Sequence, residues 1–380
     1  MQRFKNVLVV LDHESRNEAL INRAATLCQR NQAKMTIVTF ADEVSRDEIM
    51  PDILEKMETD ESQIEFIETL PPDLHAPQEI ISEEIQERIK DVDESLSAEI
   101  GFQTDEDLLS SIQEEIDKRK AHQLEQVIDF VRSLGIQVSR NVLHGTPFIA
   151  IIHEVLQNGH DLVMITAEDV KGLKNVLFGT TSMHLMRKCP CPVWVFNPNK
   201  PKEPKTILAA VNLTPYDEAR NTLDHKIMEL ATSLAHREHC ELLVIHTWTF
   251  ALESHVQSGR VSVSRERLDE WIDNTRTIHK RSLKRLLEEF LNKYELEDLK
   301  HQVYLLKGIP GKLIPALAAA KDVDLIIMGT VSRSGVSGLL IGNTAERILN
   351  QVNCSVMTVK PDGFRTPIQL DTEANKHKGN

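Results

Sequence analysis

A chain of 380 residues with 41% apolar side chains is long enough for two domains, each burying its own core. Its formal charge of -14 argues against a surface built to wrap nucleic acid or to lie on anionic lipid, since both need concentrated positive charge. No stretch approaches the roughly 18 apolar residues of a membrane span.

The N-terminal stretch MQRFKNVLVVLDHESR has a short apolar run followed at once by Asp12, with no small-residue cleavage site. It reads as a first strand rather than a signal segment, so a cytoplasmic location is expected. ALINRAATLCQR then has helical periodicity, and MTIVTF is a second buried strand. Residues 41–120 carry 26 acidic and seven basic side chains. Within them, ILEKMETDESQIEFI and the start of LLSSIQEEIDKRKAHQLEQVIDFV repeat isoleucine and leucine at helical spacing. A mainly helical acidic insertion is therefore expected, serving either as a solvated face or as the contact surface for a protein partner.

Beyond the insertion, VLHGTPFIAII, HDLVMIT and CPVWVF complete a strand and helix alternation, and PNKPKEP at 197–203 marks a boundary. The second half repeats the first: KTILAAVN, LDHKIMELATSLAHR, ELLVIHTW, LLKGIPGKLIPAL, VDLIIMG and CSVMTV. Gly145, Pro147, Asp161 and Gly179 recur as Gly308, Pro310, Asp324 and Gly342 at a constant offset of 163 residues. Strands apolar on both faces, alternating with helices, predict two tandem doubly wound α/β domains, each on a five-stranded parallel sheet. Their expected limits are 1–199, including the insertion, and 204–362, with 363–380 a flexible tail.

Catalytic and metal-ligating patterns are not evident. The five cysteines include Cys189-Pro190-Cys191, which lacks zinc spacing, and the histidines are not paired for a metal. No serine sits in a nucleophile elbow. GIPGKL at 308–313 lacks the spacing of a P-loop, and LDHES and NLTPY lack the glycines of a dinucleotide fingerprint. Asp161 and Asp324 read as turn or capping residues. His246 and Trp248, in HTW, read either as ligand contacts or as local packing. The stretch GTVSRSGVSGLLIGNT is different: Gly329 follows a strand, and after a loop GNTAERILNQV opens a helix with Ala345, Ile348, Leu349 and Val352 on one face. Free backbone N–H groups there, with the Thr344 hydroxyl, can hold a phosphate.

The repeated unit, with GNTAE near the C-terminus and RKCPCPVWVF closing the first half, resembles the universal stress protein family in its tandem-domain UspE type. The resemblance covers both sheet domains and not the acidic insertion. It implies an adenine nucleotide alpha hydrolase-like fold and, in many members, ATP or another adenine nucleotide with Mg²⁺, held by Gly-x2-Gly-x9-Gly-[Ser/Thr]. On the second half the motif falls on Gly329, Ser332, Gly342 and Asn343, so the middle glycine and the hydroxyl are altered. The family's first-strand aspartate falls on Asn212. Val211 and Val244 become wall residues, Gly308 the turn beside base and ribose, and Lys312 and Arg333 candidate phosphate neighbours. In the first half the motif positions are Thr166, Asp169, Gly179 and Thr180, so two of the three glycines are gone, and Glu168 adds a second negative charge beside Asp169; Asp12 matches the family's aspartate. The second domain is thus the better nucleotide candidate.

The expected function is that of a cytoplasmic stress-response protein whose paired domains bind a small ligand or a protein partner without catalysis. The alternatives are an ATP-binding protein with slow hydrolysis or autophosphorylation, and a purely structural interaction protein. Pairing of the domains through CPVWVF and CSVMTV is expected from the family, as is homodimerisation of the chain, with no direct nucleic acid or membrane partner.

Overall fold

The computed structural model describes residues 4–11, 17–42, 105–167, 178–200, 203–215, 217, 221–258, 260, 262–293, 298–330 and 342–370. Two compact units emerge, 1–40 with 124–380, and 41–123. In chain order the elements are β1 (Asn6–Val10), α1 (Asn17–Asn31), β2 (Lys34–Phe40), α2 (Asp105–Gln123), α3 (Glu125–Ser133), β3 (Val138–Leu143), α4 (Pro147–Asn158), β4 (Leu162–Thr166), α5 (Thr180–Lys188) and β5 (Val193–Phe196). The second half adds β6 (Thr206–Val211), α6 (Thr222–Glu238), β7 (Glu241–Trp248), α7 (Glu253–Gln257), α8 (Arg265–Lys293), β8 (His301–Lys307), α9 (Pro310–Ala320), β9 (Leu325–Gly329), α10 (Asn343–Leu349) and β10 (Ser355–Val359). Among the described residues no helix is long and apolar enough to cross a membrane.

The strands form one ten-stranded mixed sheet in the order β3-β2-β1-β4-β5-β10-β9-β6-β7-β8. Every neighbour is parallel except the central pair, where β5 meets β10 antiparallel with Trp194 opposite Met357. CPVWVF and CSVMTV therefore cover each other's edges, which leaves no free sheet edge between the halves. Instead of two separate sheets, the chain builds a single one. Alternate residues of each strand feed two core layers. Val7 and Val9 belong to the layer covered by α1, α3, α6 and α8. Leu8 and Val10 belong to the layer covered by α4, α5, α9 and α10. Both layers run through the central pair without interruption.

Two repeated devices hold the strands in register. The Asp161 carboxylate accepts from the Lys5 and Asn6 N–H groups at 2.6 and 3.1 Å, capping the start of β1. Asp324 does the same for Lys205 and Thr206 at 2.8 and 3.1 Å at the start of β6. Each carboxylate follows a helix and precedes a strand, so it satisfies backbone donors that the parallel ladder leaves over. Across the central pair, α1 and α6 meet reciprocally: Arg30 bonds Glu238 while Arg237 bonds Asn31. Aligning AATLCQR (24–30) with ATSLAHR (231–237) makes these equivalent contacts, as an isologous interface requires.

The helical run expected over LLSSIQEEIDKRKAHQLEQVIDFV is divided into α2 and α3. Within the 41–123 unit, α2 carries Glu114–Lys118 and Glu115–Arg119 pairs at 2.8 and 3.5 Å, and Gln113 donates to the Asp42 carbonyl at 3.3 Å. Residues 43–104, most of the acidic insertion, lie outside the described residues, and so does the expectation of a partner surface there. At the other end the chain is described as far as Leu370. His153 Nε2 lies 2.8 Å from the Gln369 carbonyl, and Ile368 packs on the core layer beneath α4.

Candidate functional site

In the second half β6 is flanked by β7 on one side and β9 on the other, so the strand order reverses between β6 and β9. From β6 the chain leaves to α6 on one face of the sheet, and from β9 to α10 on the other. A crevice opens where the two part company. It has a volume of about 680 Å³ and is walled by Val211 and Asn212 after β6, Leu223 and Asp224 of α6, Gly329 and Thr330 after β9, and Gly342, Asn343 and Thr344 at α10.

The turn leaving β6 is held by side chains rather than by glycines. Buried Asp224 accepts from the Asn212 N–H at 2.6 Å. Asn221 both accepts from the Thr214 N–H at 2.9 Å and donates to its carbonyl at 3.2 Å. Asn212 itself is left exposed at the cleft mouth, where it offers a neutral amide. On the far wall the Gly342 N–H donates to the Thr330 carbonyl at 3.1 Å and closes the base of the loop between them.

Of the residues singled out in the sequence, the cleft brings together Val211, Asn212, Gly329, Gly342, Asn343 and Thr344. Val244 instead is fully buried in the core layer against α6 and α8, level with Ala209 and so two positions short of the Val211 strand end where the crevice opens. Gly308 closes β8, with φ +142 and its N–H on the Trp248 carbonyl at 2.9 Å, a conformation that favours glycine. It does not line the cleft as described. Ser332 and Arg333 lie outside the described residues, as do Asp12, Glu168 and Asp169 in the first half. Lys312 is exposed on α9.

The two outer glycines have different physical origins. A Cβ at Gly329 would stand 2.6 Å from Leu223 Cδ2, so α6 packs where a side chain would otherwise be. Gly342 has φ -59 and ψ 136, angles open to any residue. Only seven residues long, α10 exposes Asn343 and Thr344 at its first turn.

Three polar groups beside the cleft escaped the sequence reading: Asp224, Thr330 and Lys360. Lys360 follows β10 and is only 2% exposed, yet its contacts are the Met186 carbonyl and Thr330 Oγ1, both at 2.5 Å, and the Phe364 ring at 5.1 Å. Thr330 Oγ1 in turn donates to the Met186 carbonyl at 2.9 Å. Among the described residues no carboxylate offsets the ammonium, and burial pulls its pKa from 10.5 down to about 7. The signal available in the sequence was slight: a lysine directly after a fully buried strand, where the first half has Asn197.

His246 and Trp248 turn away from the cleft toward α8. His246 Nδ1 lies 3.3 Å from the Val211 carbonyl and Nε2 lies 2.8 Å from His279 Nδ1, while Trp248 stacks on His279 at 5.7 Å. Burial holds the His279 pKa below its ordinary value. Cys189 and Cys191 are free thiols 3.5 Å apart. Among the described residues no three His, Cys, Asp or Glu side chains are placed to share a metal ion.

The chain is similar to known proteins on several counts. The model of the "Universal stress protein family" matches residues 97–197 and 204–360. Universal stress protein E of Escherichia coli strain K12 is 33% identical over 244 residues, covering 63% of this chain and 73% of its own. Universal stress protein E of Photorhabdus laumondii is 26% identical over 270 residues, or 70% of this chain and 82% of its own. A solved structure of a functionally unknown protein from Pseudomonas aeruginosa PAO1 superposes with a TM-score of 0.58 at 19% identity, over 94% of this chain and 93% of that one. A universal stress protein from Archaeoglobus fulgidus superposes at 0.53 with 13% identity, over 93% and 98% of the two chains. Repeated halves, shared sheet and family match agree: the chain belongs to the universal stress protein family, with the tandem arrangement of its E-type members.

Proposed function

We propose that the chain is a cytoplasmic stress-response protein that binds a small anionic ligand of the adenine nucleotide class in the second-half cleft, without turning it over. In this reading 1–199 and 204–362 act as two paired doubly wound halves, and only the second keeps a usable site. Val211 and Asn212 flank the base and ribose, and Gly342, Asn343 and Thr344 meet the phosphates. The observation that supports the proposal is Lys360, a buried amine with no carboxylate partner among the described residues, hydrogen-bonded to a threonine that lines the cleft. A charge so placed is costly unless an anion comes to it.

Calorimetric titration with ATP and AMP, each with and without Mg²⁺, tests this on the wild type and on Lys360→Met. The expected result is stoichiometric binding that weakens roughly tenfold or more in the variant, with no metal-dependent ADP release. Absence of binding removes the nucleotide reading. Metal-dependent release of ADP moves the assignment to a slow ATPase.

A further inference from the structure

Only the later turns of α8 are packed into the body of the protein. Leu283, Leu286 and Phe290 are buried in a core layer, whereas none of residues 265–282 is buried. Leu268, Trp271, Ile272 and Ile278 fall in that unburied stretch and join neither core layer. Trp271, Asn274, Thr275 and Ile278 instead wall an apolar groove of about 250 Å³, whose other side is Phe250 and Leu252. Leu252, in the turn between β7 and α7, is 45% exposed. Aromatic side chains left half-buried beside such a groove are the kind that protein interfaces collect.

The order of residues along the helix indicates what the groove fits. Trp271 and Ile278 stand about two turns apart on one face, equally far from the midpoint between Asn274 and Thr275. Asn274 is exposed, and its amide is unpaired among the described residues. Glu270 comes one turn before Asn274 and Arg281 one turn after Ile278. About three whole turns separate these two charges, so they share one flank of the groove face. Both are exposed, and neither has an ion-pair partner among the described residues. Read in either direction the face is apolar, polar, apolar, with opposite charges at its two ends. Such a face is complementary to its own reverse, as an isologous contact requires. An apolar small molecule would use Trp271 and Ile278 but neither the amide nor the charges.

We propose that this groove is where a second copy of the chain docks, the two α8 helices running antiparallel about a two-fold axis beside Asn274 and Thr275. Trp271 then lies against the partner's Ile278, and Ile278 against the partner's Trp271. Phe250 and Leu252 close the groove over them from each side. The two Asn274 amides meet at the axis, where each has both a donor and an acceptor to exchange. Glu270 faces the partner's Arg281 on one flank, and the same contact is made a second time by symmetry. Those paired charges fix the antiparallel direction, since parallel helices would set like charges side by side.

Sedimentation equilibrium of the full chain over a concentration series tests the proposal. The wild type should dimerise with concentration. Glu270→Arg and Arg281→Glu each replace two attractions by two repulsions and should raise the dissociation constant roughly tenfold or more. Both side chains are exposed, so circular dichroism should show the fold unchanged in either variant. An equal mixture of the two variants should recover dimers, because one copy carries two positive charges at these positions and the other two negative. A wild type that stays monomeric at every concentration overturns the proposal. So does a dimer indifferent to both reversals, which places the contact elsewhere, or a mixture that recovers nothing, which means that the two charges do not meet.

Discussion

Arg23 and Glu238, from opposite halves of the chain, form a two-pronged ion pair at 2.8 and 3.1 Å with side chains 0% and 1% exposed. The guanidinium also lies 4.9 Å above the Trp194 ring, at the central strand pair. A buried pair of this kind contributes little net stability over an apolar replacement, but removing one partner strands the other charge. The repeat supplies the replacement: Leu230 and Asn31 occupy the equivalent helix positions. Glu238→Gln or Arg23→Leu alone should lose about 3–5 kcal/mol. The double variant Arg23→Leu with Glu238→Asn should lose less than either. Urea unfolding followed by tryptophan fluorescence reads all three, and simple additivity would show that the two residues are not coupled.

Much of the fold was legible because β-branched apolar runs and a constant offset survive in each half. VLVV, TIVTF, LVMIT and VWVF are buried on both faces, and no surface demand obscures them. The meeting of β5 with β10 was expected from the resemblance, and the need of two apolar edges for cover gives it a physical reason. What stayed hidden depends on partners distant in sequence. Gly329 looked like a phosphate approach, but its neighbour is Leu223, on a helix leaving a different strand. Val244 looked like a cleft wall, but it lies two positions deeper in the sheet than Val211, whose strand end opens on the cleft. Lys360, Glu154 and His160 are charged or titratable residues that pattern reading assigns to the surface, and only tertiary packing buries them.

The Gly329 contact makes a test of what that glycine does. Gly329→Ala should cost about 1–3 kcal/mol by pressing on Leu223, which walls the cleft. Adding Leu223→Ala removes the clash and should restore most of the stability measured by chemical unfolding. Nucleotide affinity should recover with it. Recovery of stability without recovery of affinity would mean that the ligand itself needs the missing side chain at 329.

Asp324→Ala should leave the Lys205 and Thr206 N–H groups without their acceptor at the start of β6. Loss of two hydrogen bonds to one carboxylate predicts about 2–3 kcal/mol of destabilisation. Amide hydrogen exchange should quicken first at residues 205 and 206, and unchanged exchange there would refute the capping role.

Lys360 predicts a pH dependence whose sign follows from its burial. In the unfolded chain it holds a proton up to its ordinary value of 10.5, whereas in the folded chain it gives it up near pH 7. Between those values the unfolded state binds more protons, so stability rises with pH, by at most about 1.4 kcal/mol per pH unit. Below pH 7 both states are protonated and the full cost of burying the charge is present. The clean window runs from neutrality to about pH 8.5, where unfolded cysteines begin to ionise. Cys28, Cys240 and Cys354, each pushed up to about 12 by burial, add a slope of opposite sign above it. Lys360→Met should flatten the rise inside the window and be more stable than the wild type at neutral pH. If a nucleotide phosphate supplies the missing anion, binding at about pH 8 should also take up a proton, because the anion favours the ammonium. Calorimetry in two buffers of different ionisation enthalpy measures that uptake. A wild type with no uptake, or a Lys360→Met variant that retains it, would place the linked proton on another group.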